Sequence, residues 1–293
     1  MRLLLVHGIG QGGQRPADLE KAWIDTLRAG YAGAGLPFPS SLSVDFPYYG
    51  DALDARVARS QLPLPQQMVP KGGEAPSAYE EFLSSSLDEM KERTNISDAD
   101  VAAEAGPIPA AEKGIRNWRM TQAIARLIDR RHARFTSDTI ERYLRDVFLY
   151  ISNRSVEREI NAIVEAKLTD EPTVVIGHSL GSVVAYKVLV AQGAKLKLRR
   201  YVTVGSPLGI RTISSRLGVL RYPPADLNWY NAYDDGDIVA LNPLKDPWFR
   251  TDPAITNYNG VRNTTDNQHG IVGYLNDATV ARCIDEALTA VSP

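Results

Sequence analysis

Residues 173–190 read TVVIGHSLGSVVAYKVLV. A β-branched run feeds directly into Gly177-His178-Ser179-Leu180-Gly181, and an apolar helical stretch leaves it. By composition alone, a chain of this length holds a G-x-S-x-G about one time in ten. The flanks carry the weight: an apolar strand turning sharply into an apolar helix needs a sheet covered by helices on both faces. The sharp turn explains the glycines two residues either side of Ser179, where side chains would collide. It also projects the serine hydroxyl and aims the backbone N–H of Leu180, at the helix N-terminus, towards a developing oxyanion. Ser179 is therefore the candidate nucleophile, and Leu180 a candidate oxyanion donor.

The rest of the chain supports the same class. Residues 2–6 read as a buried strand. Leu19, Trp23, Leu27 and Tyr31 then recur every four residues, as on an amphipathic helix, with Pro16 and Asp18 at its start and Gly30, Gly33 and Gly35 at its exit. A second strand is expected at 42–46. Beyond residue 170, strands at 173–176, 200–204 and 229–233 alternate with helices at 180–190 and 277–291, which predicts a mainly parallel sheet. Residues 51–134 break the alternation: proline- and glycine-rich loops separate a helical stripe through Tyr79, Leu83, Leu87 and Met90 from another through Trp118, Ile124 and Ile128. They read as a helical insertion within a single domain spanning 1–293. A helix opening on Asp138 and Glu141 as a capping pair, and helical phase through Val156, Ile160, Ile163 and Lys167, lead into the next strand.

The N-terminal loop offers a competing reading. Gly8-Ile9-Gly10-Gln11-Gly12-Gly13 satisfies G-x-G-x-x-G, the pattern of a dinucleotide site. Gln14, Arg15 and Pro16, however, delay the helix that such a site starts on its third glycine. The acid expected about 20 residues on is poorly placed, since the next strand ends near Asp45. A nicotinamide-dependent dehydrogenase thus has only these glycines in its favour.

GHSLGS resembles the elbow of the α/β-hydrolase superfamily of lipases and esterases, and LLLVHGIGQ resembles the loop after an early strand that supplies its other oxyanion donor. GSPLG at 205–209 is similar to the segment after the following strand in many lipases. The likeness covers residues 1–50 and 170–293. Residues 146–150, DVFLY, are also similar to the approach helix of intracellular phospholipases of the DDHD type. The resemblance implies an α/β-hydrolase fold, with a mainly parallel sheet that lacks the first strands and carries a helical insertion before the nucleophile strand. It further implies Ile9 N–H as the second oxyanion donor, with Gly10 as the neighbouring alternative, and a base and acid following the serine in the order Asp/Glu, then His.

Among four histidines, His7 lies in the oxyanion loop, His132 in the basic run 130–134, and His178 in the elbow, read as pointing away from Ser179. That leaves His269, in a polar loop before a helix, as the base. The acid belongs to Asp234-Asp235-Gly236-Asp237, after the strand at 229–233. Asp237, just ahead of Ile238-Val239, is the choice, and Asp234 the alternative.

Composition narrows the partners. Lys+Arg (33) and Asp+Glu (35) nearly balance, so the charge calls for no nucleic-acid partner. The single cysteine, Cys283, excludes an intrachain disulfide framework and a cysteine-based zinc cluster. The apolar run at 3–6 is too short for a signal-peptide core or a membrane span, so a cytoplasmic setting is expected and the N-x-S/T triplets at Asn95, Asn153 and Asn263 read as chance matches. No cofactor or metal is expected. The expected activity is carboxylic ester hydrolysis, on a lipid or acyl ester. Amidases, thioesterases and acyltransferases use the same residues, and a non-catalytic binding or signalling module on this scaffold is the alternative from another class. Tyr79, Phe82, Leu83 and Trp118 either line an acyl pocket or glue the insertion to the sheet. Arg130 to Arg134 either meet phospholipid head groups in transient membrane-surface contact or form a solvated helix face.

Overall fold

β1 (Arg2–Val6) is buried along its whole length. Leu3 and Leu5 point into one hydrophobic cluster, and Leu4 and Val6 into the cluster on the opposite face. A strand apolar on both sides belongs inside a parallel sheet with two helical covers. The computed structural model describes residues 1–64, 77–107, 113–131, 137–266 and 268–290. Among these, six parallel strands form one open sheet in the order β2-β1-β3-β4-β5-β6. After β1 come α1 (Pro16–Ala34), β2 (Ser43–Asp45), α2 (Gly50–Ser60), α3 (Ala78–Arg93), α4 (Asp98–Ala105), α5 (Lys113–Arg131), α6 (Ser137–Ser152) and α7 (Arg154–Glu165). The second half runs β3 (Thr173–His178), α8 (Leu180–Gln192), β4 (Leu198–Val204), α9 (Arg211–Ser214), β5 (Tyr230–Ala232), β6 (Thr256–Tyr258), α10 (Ile271–Leu275) and α11 (Ala278–Thr289).

The chain leaves β1 towards β2 on one side and returns through β3 to β4 on the other. The carboxyl ends of β1 and β3 therefore border the crevice where open α/β sheets take their ligands. α1, α10 and α11 cover one face, and α2 to α8 pack on the other. α8 is apolar nearly all round because it runs through the middle of that second layer.

Tyr79, Phe82, Leu83 and Trp118 lie in the second layer's core, and none of them lines the cavity beside Ser179. The rings of Tyr79 and Phe82 pack on Phe148 of α6, at 5.0 and 5.3 Å. They glue the helices of 78–131 to the body of the fold and do not form an acyl pocket.

Five elements, α2, α4, α9, α10 and β6, were not expected from the sequence. α2 buries only Gly50 and Leu53, α4 only Val101, and β6 is the polar triplet Thr-Asn-Tyr on the sheet edge. The closing helix expected at 277–291 is α11, and the short α10 precedes it. α6 begins at Ser137, so the Asp138–Glu141 pair falls inside its first turns. The side chain of Asp138 lies outside the described residues, as do residue 267, Val291 and the prolines of 65–76.

In the basic run, Arg130 pairs with Glu104 beside Arg126, whereas the side chain of Arg131 and residues 132–134 lie outside the described residues. Two of the N-x-S/T asparagines have structural work: Asn153 caps α7, and Asn263 is buried in the loop ahead of α10. Among the described residues, no helix is long and apolar enough to cross a membrane.

Candidate active site

Ser179 sits at the junction of β3 and α8 with φ 55° and ψ −132°. Such a conformation costs a residue with a side chain about 1–3 kcal/mol, so the surroundings must hold it. Ser182 Oγ donates to the Ser179 carbonyl at 2.6 Å and meets Ser206 Oγ at 2.7 Å, while Tyr201 donates its hydroxyl to the Ser182 carbonyl. The serines of GHSLGS and GSPLG are thus one buried clamp beneath the turn. A side chain at Gly177 would stand 2.7 Å from Ser182 Cα, and one at Gly181 would stand 2.2 Å from the Val6 carbonyl oxygen.

The glycine loop after β1 closes over this turn. A Cβ at Gly8 would come within 2.8 Å of Ser179 Cβ and 3.2 Å of its Oγ. Gly8 is a glycine because the serine occupies its side-chain space. The loop is tied to the start of α2: the Tyr49 N–H donates to His7 Nε2 at 3.0 Å, Tyr48 OH donates to the Gln11 carbonyl at 2.8 Å, and the Gly13 N–H donates to Asp51 at 2.7 Å. Burial pulls the His7 imidazole down to about 4, so it is neutral, with its Nδ1–H on the Gly8 carbonyl at 2.7 Å. Asp45, the acid a dinucleotide site would have recruited, pairs with Arg2 at 2.7 Å.

On the other side, His269 Nδ1 lies 2.7 Å from Asp237 Oδ2. Asp237 is buried, and its Oδ1 accepts the Val239 N–H at 2.9 Å. Asp234 is engaged elsewhere, accepting the Gly236 N–H at 2.8 Å and the Asn263 N–H at 2.5 Å. Asn263 in turn donates to the Gly270 carbonyl at 2.8 Å, so Asp234 and Asn263 brace the loop that carries His269. Gly205, with φ 56°, leaves room for the imidazole: its Cβ would stand 3.2 Å from His269 Cε1 and Nδ1.

His178 does not point away from the site. Its ring lies 4.7 Å from that of His269, and its Nε2–H donates to the His269 carbonyl at 2.7 Å. Burial, then the neighbouring His269, holds its pKa well below the ordinary imidazole value, so it braces His269 as a neutral ring. Nothing in the sequence distinguished it from a spectator, because its partner lies 91 residues away.

Ser179, His269, Ile9 and Gly10 all line a cavity of about 740 Å³. Ser179 Oγ is buried and has no hydrogen-bond partner among the described residues. One wall is apolar, from Leu19, Ala22 and Trp23 of α1 with Ile271 of α10; the opposite wall carries Asp54 of α2 and Arg142, Arg145 and Asp146 of α6. Among the described residues, no group of three or more His, Cys, Asp or Glu is placed to hold a metal ion.

The charged wall has a measurable signature. Arg145 Nε pairs with Asp146 at 3.0 Å, yet burial pushes the Asp146 carboxyl up to about 6, and neither Arg145 nor Arg142 offsets it. A folded-state pKa above the ordinary 3.8 contributes stability that is full below about pH 4 and is lost as pH rises through about 6. The gap corresponds to about 3 kcal/mol at most. Asp146→Asn should therefore gain in melting temperature over the native protein as pH rises from 4.5 to 7.5; parallel melting curves across that range would contradict the assignment.

A scan against protein-family models matches no family, and no curated protein matches the chain in sequence.

Proposed function

We propose that the protein is a serine hydrolase of the α/β-hydrolase type that cleaves carboxylic esters, with Ser179 as nucleophile, His269 as base and Asp237 as its orienting acid. One observation carries the reading: a serine held at positive φ between strand and helix shares a cavity with a histidine whose Nδ1 is held by a buried carboxylate.

In this reading, His269 Nε2 takes the proton of Ser179 Oγ as the oxygen attacks the acyl carbonyl, and Asp237 holds the proton on Nδ1 and stabilises the imidazolium. Backbone N–H groups of Leu180 and Ile9 receive the oxyanion. The imidazolium protonates the departing alcohol, leaving an acyl-serine. A water molecule, deprotonated by His269, then attacks the ester and releases the carboxylic acid with Ser179 restored. The wall of Leu19, Ala22, Trp23 and Ile271 supports a lipid or acyl ester, with the hydrocarbon chain against α1 and α10.

The test is labelling with a fluorophosphonate, which reports an activated serine independently of the natural substrate. The native protein should label stoichiometrically at Ser179 and turn over p-nitrophenyl esters, with chain length and phospholipid class varied to define the acyl side. Stoichiometric labelling of folded Ser179→Ala would sink the assignment.

A further inference from the structure

Asp237 Oδ2 accepts a second hydrogen bond besides that of His269: the hydroxyl of Tyr274 donates to it at 2.5 Å. We propose that Tyr274 is a positioning residue, whose phenol shares the carboxylate oxygen with His269 and thereby sets how tightly the imidazole holds its proton. The inference rests on the proposed roles of Ser179, His269 and Asp237.

Tyr274 lies five residues after His269, so α10 returns it beneath the histidine that its own loop supplies. Both Asp237 and Tyr274 are fully enclosed, at 1% and 0% exposure, so no water competes for the shared oxygen. Gly205 makes the room: a Cβ there would stand 3.0 Å from Tyr274 Cε2, against the same surface that admits His269. Burial, followed by the charge of Asp237, keeps the phenol well above its ordinary value, so it is a donor and not a base. The other groups facing this pair come from several elements. His178 of β3 packs on the His269 ring, Tyr143 of α6 lies edge-on at 6.4 Å, and Asp234 lies near Tyr274. Across the cavity stand Asp54, Arg142, Arg145 and Asp146. Among the described residues, no other side chain donates to Asp237.

A donor on a carboxylate draws off part of its charge and weakens its hold on an adjacent imidazolium. Losing that donor should raise the pKa of His269 by about half a unit to one unit, the scale of one buried hydrogen bond. The experiment follows the His269 ring by NMR titration of histidine-labelled protein in three forms: native, Tyr274→Phe, and protein with 3-fluorotyrosine at position 274, a stronger donor of nearly the same shape. Tyr274→Phe should titrate higher than the native protein and the fluorinated form lower. The acidic limb of the ester pH–rate profile should move in the same two directions.

A titration unmoved in both, or moved the same way in both, overturns the proposal, because a packing defect cannot reverse sign with donor strength. Should Tyr274→Phe fail to fold, the fluorinated form decides alone, since an unmoved or raised titration rejects the idea. The NMR readout needs no turnover. Opposed shifts without ester hydrolysis would keep Tyr274's role towards Asp237 and count against the hydrolase reading itself.

Discussion

Ser179→Gly is expected to abolish ester turnover, by about 10⁴-fold or more, and at the same time to make the protein more stable by about 1 kcal/mol. The two effects share one cause. At φ 55° and ψ −132° the backbone of Ser179 occupies a region that favours glycine, and its hydroxyl is buried without a partner among the described residues. Glycine removes both costs, less about 0.5–1 kcal/mol for the extra freedom of its unfolded chain. Ser179→Ala should lose turnover equally but gain less stability, because its Cβ keeps the strain. Chemical denaturation of the three forms, beside kcat on a p-nitrophenyl ester, separates the terms. A glycine variant less stable than the alanine variant would mean that the turn is relaxed as it stands, removing the main physical argument for a functional serine there.

Much of this frame was legible in the residues because it rests on local rules. A strand apolar on both faces, a helix apolar all round and glycines two residues either side of Ser179 each have one comfortable arrangement, and β1, β3 and α8 adopt it. What escaped was set by distant partners. β6 is a strand only because β5 offers it an edge to pair with, since Thr-Asn-Tyr has no apolar alternation of its own. Tyr274 and His178 look like ordinary core residues until the fold brings them to Asp237 and His269. The cavity walls were left open in the sequence for a related reason. Tyr79 and Phe82 fill the interior, whereas the walls combine Leu19 and Trp23 of the α1 stripe and Tyr143 of α6 with smaller or charged residues, Ala22, Val57, Ala58 and Arg145, which carry no periodic signal.

The choice between two aspartates shows where local pattern ends and geometry begins. Asp234-Asp235-Gly236-Asp237 reads as an acidic turn in which either end could face a base. In the folded chain the two have different partners, and their amide variants should separate cleanly. Asp237→Asn puts an amide opposite His269 Nδ1, which then becomes an acceptor and leaves the ring proton on Nε2, where it can no longer take one from Ser179. Turnover should fall by about 10⁴-fold. Asn still accepts the Val239 N–H, but its NH2 cannot accept the buried Tyr274 hydroxyl, so stability should fall as well, by about 1–3 kcal/mol. Asp234→Asn should lose stability on a similar scale but keep most of its turnover. Its two oxygens accept the N–H groups of Gly236 and Asn263 separately, and an amide can satisfy only one of them. The stranded N–H should cost about 1–3 kcal/mol, with turnover reduced less than about tenfold, because the bond between His269 and Asp237 survives. Measured as kcat beside denaturation midpoint, the two variants should show comparable losses of stability but differ by about 10³-fold or more in turnover. Equal losses of turnover in both would mean that the acidic turn acts as a unit, and that the 2.7 Å contact between Asp237 and His269 does not single out the acid.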